Sequence, residues 1–239
     1  AYYSGDYPFY VRRRLRQALG GQALFLNGPC AELAPAIRDK DCGEARRIGE
    51  AVGRAAVRAL AGVPARPLAR LDEGSREVEL PIRDDLTGLE QAACEAAALR
   101  QDSAASKGRP LPERKRLAER IRFLDTVPFL RKKWLNGEPP STEARRRVAV
   151  RLGWLFLNDA GLLAFPGETF SSTGEWVRRR SGIRGLVTVT EHGRTVMYVP
   201  PARDRERGGY EPTCCMTAPD AEAILAEAAL AAVHERRRG

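Results

Sequence analysis

The chain has 239 residues and a net charge of +9, a size that fits one large domain or two small ones. With 43% hydrophobic and 30% charged residues it can bury a real core, which excludes disorder throughout. No apolar run approaches the ~20 residues that a membrane helix needs, so no membrane span is expected.

Asp6 ahead of Tyr7-Pro8 reads as a helix start, with an acidic cap and a proline in the first turn. That helix should run to about Leu19 and stop at Gly20-Gly21. Ala23-Leu24-Phe25-Leu26, bounded by turn residues, reads as a short buried strand. It leads into Asn27 to Pro35, which has neither helical nor strand periodicity. Ile48, Val52, Ala55, Ala56, Ala59 and Leu60 repeat at helical spacing. Val78, Leu80 and Ile82 alternate as a strand does, ending near Pro81. A helical pattern follows from Leu86 to Leu99, then a polar link over Asp102 to Pro112. A basic helix with Leu117, Ile121 and Leu124 on one face comes next. Val148, Val150 and Leu152 alternate, and Trp154 to Leu157 and Leu162 to Phe165 flank Asn158-Asp159-Ala160-Gly161, a hairpin signal. Leu186 to Thr190 and Thr195 to Val199 flank His192-Gly193 and suggest a second hairpin. The chain ends in a helix whose apolar face is Ile224, Leu225, Ala228, Ala229, Ala232 and Val233. Intermixed helices and strands with antiparallel pairs predict a layered α/β or α+β domain around a mixed sheet, with α/β/α as the expected arrangement.

The side-chain inventory narrows the chemistry. Of the 40 basic residues, 35 are arginine, the coding habit of a GC-rich genome, so the positive charge is weak evidence for nucleic acid. The clusters Arg12-Arg13-Arg14, Arg145-Arg146-Arg147, Arg178-Arg179-Arg180 and Arg236-Arg237-Arg238 are dispersed and carry no stacking aromatics. They read as solvated helix faces, and no nucleic-acid partner is expected. Five cysteines, without a C-x-x-C pair, fit a reducing, cytoplasmic setting. The two histidines, His192 and His234, are too few to build a zinc site from this chain's own His and Cys. The first eight residues have neither the charged nor the apolar region of a secretory signal.

Four segments break periodicity while carrying functional groups: Asn27 to Pro35, Phe165 to Ser172, Val196 to Pro201, and Gly208-Gly209-Tyr210-Glu211. Taken singly, Glu168 reads as a helix-dipole partner, Tyr198 as packing and Cys30 as a buried structural thiol. Their order says more. Gly5-Asp6-Tyr7-Pro8, Phe25 to Pro35, Val78-Glu79-Leu80-Pro81-Ile82-Arg83, Pro166-Gly167-Glu168, Tyr198-Val199-Pro200 and Gly208-Gly209-Tyr210-Glu211 follow one another colinearly. In this the sequence resembles the catalytic domain of the neutral/alkaline non-lysosomal ceramidases, and more closely their bacterial ceramidase-like relatives.

The resemblance implies that residues 1–239 are the C-terminal half of that domain, without the family's immunoglobulin-like tail. It implies a Zn2+ ion whose ligands include the carboxylate at Glu168 and the phenolate at Tyr198. Two histidine ligands lie upstream of the region this chain matches, so a partner polypeptide bearing the N-terminal half should supply them. The family's catalytic serine falls on Gly28 and its aspartate on Glu32, so the nucleophilic hydroxyl is missing, and Glu32 or a group on the complementary half is left as the proton shuttle. The activity implied is zinc-dependent hydrolysis of an amide (N-acyl) bond in a small molecule other than ceramide, with Glu32 and Tyr198 as catalytic groups. The alternative is a non-catalytic scaffold subunit that keeps the fold.

Overall fold

The computed structural model describes residues 4–36, 42–64, 66–83, 97–102, 108–114, 117–118, 120–121, 124–125, 147–193, 196–208 and 210–236. They fall into two compact units, one formed by residues 1–27 and 33–69 and the other by residues 28–32 and 70–239.

The first unit is a pair of helices, α1 (Asp6–Leu19) and α2 (Cys42–Leu60). The expected stop of α1 is present, but Asp6 is its first residue and not its cap: Gly5 stands at the cap position and no side chain caps the helix. The Tyr7 amide donates to Asp6 Oδ1 at 2.7 Å, and Gly20, at φ 74°, ends the helix by donating its N–H to the Arg16 carbonyl. Two glycines four apart let the helices touch. A Cβ on Gly49 would lie 2.4 Å from the Tyr7 carbonyl oxygen, and one on Gly53 2.8 Å from Arg14 Cβ. Both contacts advance in step along the two sequences, so the helices run parallel.

Two expectations fail in this unit. Ala23 to Leu26 forms no strand, and Leu24 and Leu26 are exposed. A strand exists only through its ladder partner, and no described residue supplies one. The apolar stripe expected to bury α2 is also largely in solvent, with Val52, Ala55, Ala59 and Leu60 all exposed.

The second unit holds a mixed four-stranded sheet in the order β1-β2-β3-β5, from β1 (Leu71–Pro81), β2 (Arg147–Leu157), β3 (Ala160–Ala164) and β5 (Gly185–Val189). β1, β2 and β3 are antiparallel neighbours, and the predicted hairpin at Asn158–Asp159 joins β2 to β3, with Asn158 at φ 57°. β3 and β5 run parallel, connected through α3 (Ser171–Arg180). One sheet face carries Leu80, Val150, Leu152, Phe156, Leu163 and Leu186 into a core shared with Val177 of α3 and with Leu225, Ala229 and Val233 of α6 (Ala221–Arg236). The other face sets Leu71 beside Leu157, and Leu155 beside Leu162 and Val187. Leu71, Leu157 and Val187 are exposed there.

The predicted second hairpin does not form. After β5 the chain turns back onto the segment following β3, where Glu191 N–H donates to Gly167 O and His192 N–H to Phe165 O. Of the expected second arm, Thr195 lies outside the described residues, and within residues 196–199 only β6 (Tyr198–Val199) is a strand, paired in parallel with β4 (Glu168–Thr169) as a separate two-stranded sheet. Of the helix expected from Leu86 to Leu99, residues 84–96 lie outside the described residues, and 97–102 are helical.

Candidate active site

The site is built where β3 ends. Gly167, at φ 65°, turns the chain so that its carbonyl accepts both Glu191 N–H and Thr190 Oγ1–H, at 2.9 and 2.6 Å. A side chain is barred there, because a Cβ would lie 2.6 Å from the Met197 carbonyl oxygen. That same carbonyl accepts the Glu168 N–H at 2.7 Å. Thr169 and Val199 point into the core and are fully buried. Strand alternation therefore sends Glu168 and Tyr198 to the opposite face.

Those two residues are direct cross-strand partners, although thirty positions apart in sequence. Tyr198 hydrogen-bonds the Glu168 carboxylate, which favours its ionised form. The net effect on Glu168 is nonetheless a pKa above the usual range. Burial is the largest cause, the nearby Glu191 carboxylate comes next, and Glu211 adds to it. Tyr210, first residue of α5 (Tyr210–Cys214), packs edge-on against Tyr198 with ring centroids 5.8 Å apart. The segment carrying Tyr210 and Glu211 is strapped down by Arg205 of α4 (Ala202–Arg207). Its guanidinium reaches the Ala218 carbonyl and Thr217 Oγ1, both at 3.0 Å, and the buried Cys215 sulfur at 2.9 Å.

Residues 28–32 close one side of the site. Ala31 N–H donates to Thr169 O, and Gly174 leaves room for Pro29, whose ring a Cβ would meet at 2.7 Å. Cys30 is half-exposed rather than buried. Burial raises its thiol pKa, and the Glu191, Glu168 and Glu32 carboxylates push the same way. Such surroundings disfavour a thiolate nucleophile. Glu32 sits at the N-terminus of α3, where both carboxylate oxygens accept the Ser171 N–H, at 2.9 and 3.0 Å, and Ser171 Oγ–H donates to Oε1. Gly28 lies beside the Thr188 carbonyl. His192 is elsewhere, over Gly153 of β2, where a Cβ would lie 2.7 Å from its Nε2. His234 is in the last turn of α6.

In the sequence Glu191 carries no mark of a site, because it lies between two segments that look like the arms of a hairpin. Its signal was a left-handed backbone that sequence does not display: Glu191 and Met197 have φ of 62° and 58°. Such non-glycine residues collect at functional sites, held there by surrounding bonds.

Among the described residues, no group of three His, Cys, Asp or Glu side chains is arranged to hold a metal. The chemistry of the pair fits part of such a site. Glu168 and Tyr198 offer two hard oxygens on hydrogen-bonded strands, and the charges that shift Glu168 are both acidic. A divalent cation would relieve that repulsion, and a closed zinc site needs about two further donors.

The arrangement belongs to a known architecture. A neutral ceramidase from Pseudomonas aeruginosa superposes on 98% of this chain with a TM-score of 0.60 at 18% identity. A ceramidase complexed with C2 does so over 98% with a TM-score of 0.60 at 16% identity. The chain spans only 41% and 43% of those two proteins. No protein-family model and no curated protein matches the sequence. The chain therefore has a ceramidase-like fold, over less than half the length of the ceramidases it resembles.

Proposed function

We propose that this chain is the C-terminal half of a ceramidase-like catalytic domain and one subunit of a zinc-dependent hydrolase of amide (N-acyl) bonds. The observation that supports this reading most is the Glu168–Tyr198 pair: the two residues singled out as zinc ligands are cross-strand neighbours joined by a hydrogen bond. Zinc, when bound, supplies Lewis-acid polarisation of the scissile carbonyl and acidification of a water. Glu168 and Tyr198 hold it through a carboxylate and a phenolic oxygen, and a complementary polypeptide contributes two histidines. Backbone pairing of β4 and β6 fixes both oxygens without loop freedom. Gly28 offers no hydroxyl, so the substrate is an N-acyl compound other than ceramide.

Glu32 has two roles to separate. As a cap of α3 it should hold residues 28–32 in place, and its removal should cost about 1 kcal/mol. As a proton carrier it should be needed for turnover. Glu32→Gln keeps one accepting oxygen. The proton-carrier role predicts a fall in kcat of about 100-fold with little change in thermal midpoint, whereas a cap alone predicts the reverse pattern. Both are read from kcat and Tm measured on one preparation.

The test of the function is release of free amine from a panel of N-acyl substrates, ceramide included, by the chain joined to its complement. Turnover of a non-ceramide member, lost to a chelator and restored by zinc, is the expected result. Zinc-loaded protein inert on every member would favour the second reading, a non-catalytic scaffold. One observation points that way: glycine stands where the resemblance puts the family's serine.

A further inference from the structure

The first unit concentrates the protein's positive charge. It carries eleven basic and five acidic residues, a net +6 out of +9 for the whole chain. Phe9, Arg12, Arg13, Arg16 and Leu19 recur along one side of α1, away from the Val11 and Arg14 positions that meet α2. Arg12 and Arg16 are exposed, as are Phe9 and Leu19. Arg13 is held in place by Glu50, at 2.9 Å, and lies over the Phe9 and Tyr10 rings. Neither Arg12 nor Arg16 has a carboxylate partner among the described residues.

The failed strand completes this surface. Gly20 and Gly21, at φ 74° and 65°, reverse the chain, and Arg12 Nε–H then donates to the Ala23 carbonyl at 2.8 Å. That bond holds the segment carrying Leu24 beside the arginine stripe. Leu24 is 85% exposed and Leu26 55%. Arg13, Arg16, Gln17 and Gly21 line an open groove of about 520 Å³ next to it, wide enough for a phosphodiester headgroup. Exposed leucines fringing unpaired arginines on a short helix are what an interfacial anchor requires: the arginines meet the headgroups and the leucines enter the acyl boundary.

We propose that the α1 face, with Leu24 and Leu26, docks the protein on an anionic phospholipid bilayer surface. The inference stands apart from the hydrolase reading, since vesicle binding needs neither metal nor substrate.

Flotation of the full chain with vesicles tests it, in a Leu157→Glu, Val187→Glu background that keeps the open sheet face of the other unit soluble, using phosphatidylcholine alone and phosphatidylcholine mixed with phosphatidylglycerol. Binding to the mixed vesicles, weakened by salt and absent on phosphatidylcholine alone, is expected. Arg16→Glu should lower the partition coefficient at least about tenfold. Leu24→Glu should lower it comparably, and because the side chain is in solvent the helical content by circular dichroism should be unchanged. Arg203→Glu makes the same charge change on α4 of the other unit and should leave binding within about twofold. Equal binding to both vesicle types, or Arg16→Glu and Leu24→Glu variants that float like the parent, would overturn the proposal. Retention on an immobilised single-stranded oligonucleotide without vesicle binding would overturn it as well, and would assign the patch to a polyanion in solution.

Discussion

Glu168→Gln is expected to reduce zinc content and turnover together, each by about 100-fold or more, in the chain joined to its complement. Gln keeps the shape and an acceptor for the Tyr198 hydrogen bond, so the loss would report the missing charge and donor rather than a collapsed strand pair. Atomic absorption on the purified complex and amine release measure the two effects. Full zinc content in the variant would remove Glu168 from the ligand set. Without metal, the same substitution should act in the opposite direction on stability. The Glu168 pKa is raised on folding, chiefly by burial and then by Glu191, so the folded state binds the proton more tightly than the unfolded one. Stability therefore falls as pH rises from the ordinary glutamate value through the raised one, and above that window the penalty is fully present. In chelator, the variant's thermal midpoint should exceed the parent's near neutral pH. The two should converge below about pH 4. A parent protein more stable than the variant near neutral pH would contradict the burial argument.

Purified by itself, the chain is expected to be aggregated or free of zinc. One face of its sheet is closed by α3 and α6, but the other leaves Leu71, Leu157 and Val187 at 56%, 43% and 56% exposure, with Leu155 and Leu162 half-buried between them. Contiguous apolar surface of this kind marks an interface or an aggregation site. The ceramidases of like fold are more than twice as long, and a complementary half resting on this face would cover it. Co-expression with a polypeptide carrying that half should restore solubility and bring about one zinc per complex. The interface should be apolar and on the order of 2,000 Å² or more, as in obligate assemblies. Leu157→Glu with Val187→Glu should block assembly while making the isolated chain more soluble. A monomeric, zinc-loaded chain purified alone would sink this idea and would turn attention to His192 as a ligand.

Much of the architecture was written locally. The limits of α1, the spacing of the α2 apolar positions, the alternation of Val148, Val150 and Leu152, the hairpin at Asn158–Asp159 and the apolar face of α6 are short-range patterns, and each element is present. The Pro166-Gly167-Glu168 and Tyr198-Val199-Pro200 blocks were legible as short motifs that the resemblance to the ceramidases matches, but not as strands, since β4 and β6 are strands only through each other.

What the sequence by itself determined is therefore which segments form helices and strands and which short blocks carry oxygen donors. The tertiary structure alone decided their partners. Ala23 to Leu26 has strand composition but no ladder to join among the described residues, so Phe25 packs on Tyr7 while Leu24 and Leu26 are left exposed beside the α1 arginines. Leu186 to Thr190 and Thr195 to Val199 look like the arms of one hairpin. Yet β5 pairs with β3, and β6 pairs with β4, because hydrogen bonds from Thr190, Glu191 and His192 to Phe165 and Gly167 turn the chain aside first. That exchange of partners brings Glu168 against Tyr198 and sets Glu191 close enough to raise its pKa. Hydrophobic periodicity encodes which face of an element is buried, but strand pairing over tens of residues depends on backbone groups that every residue shares. Side-chain patterns therefore cannot announce it.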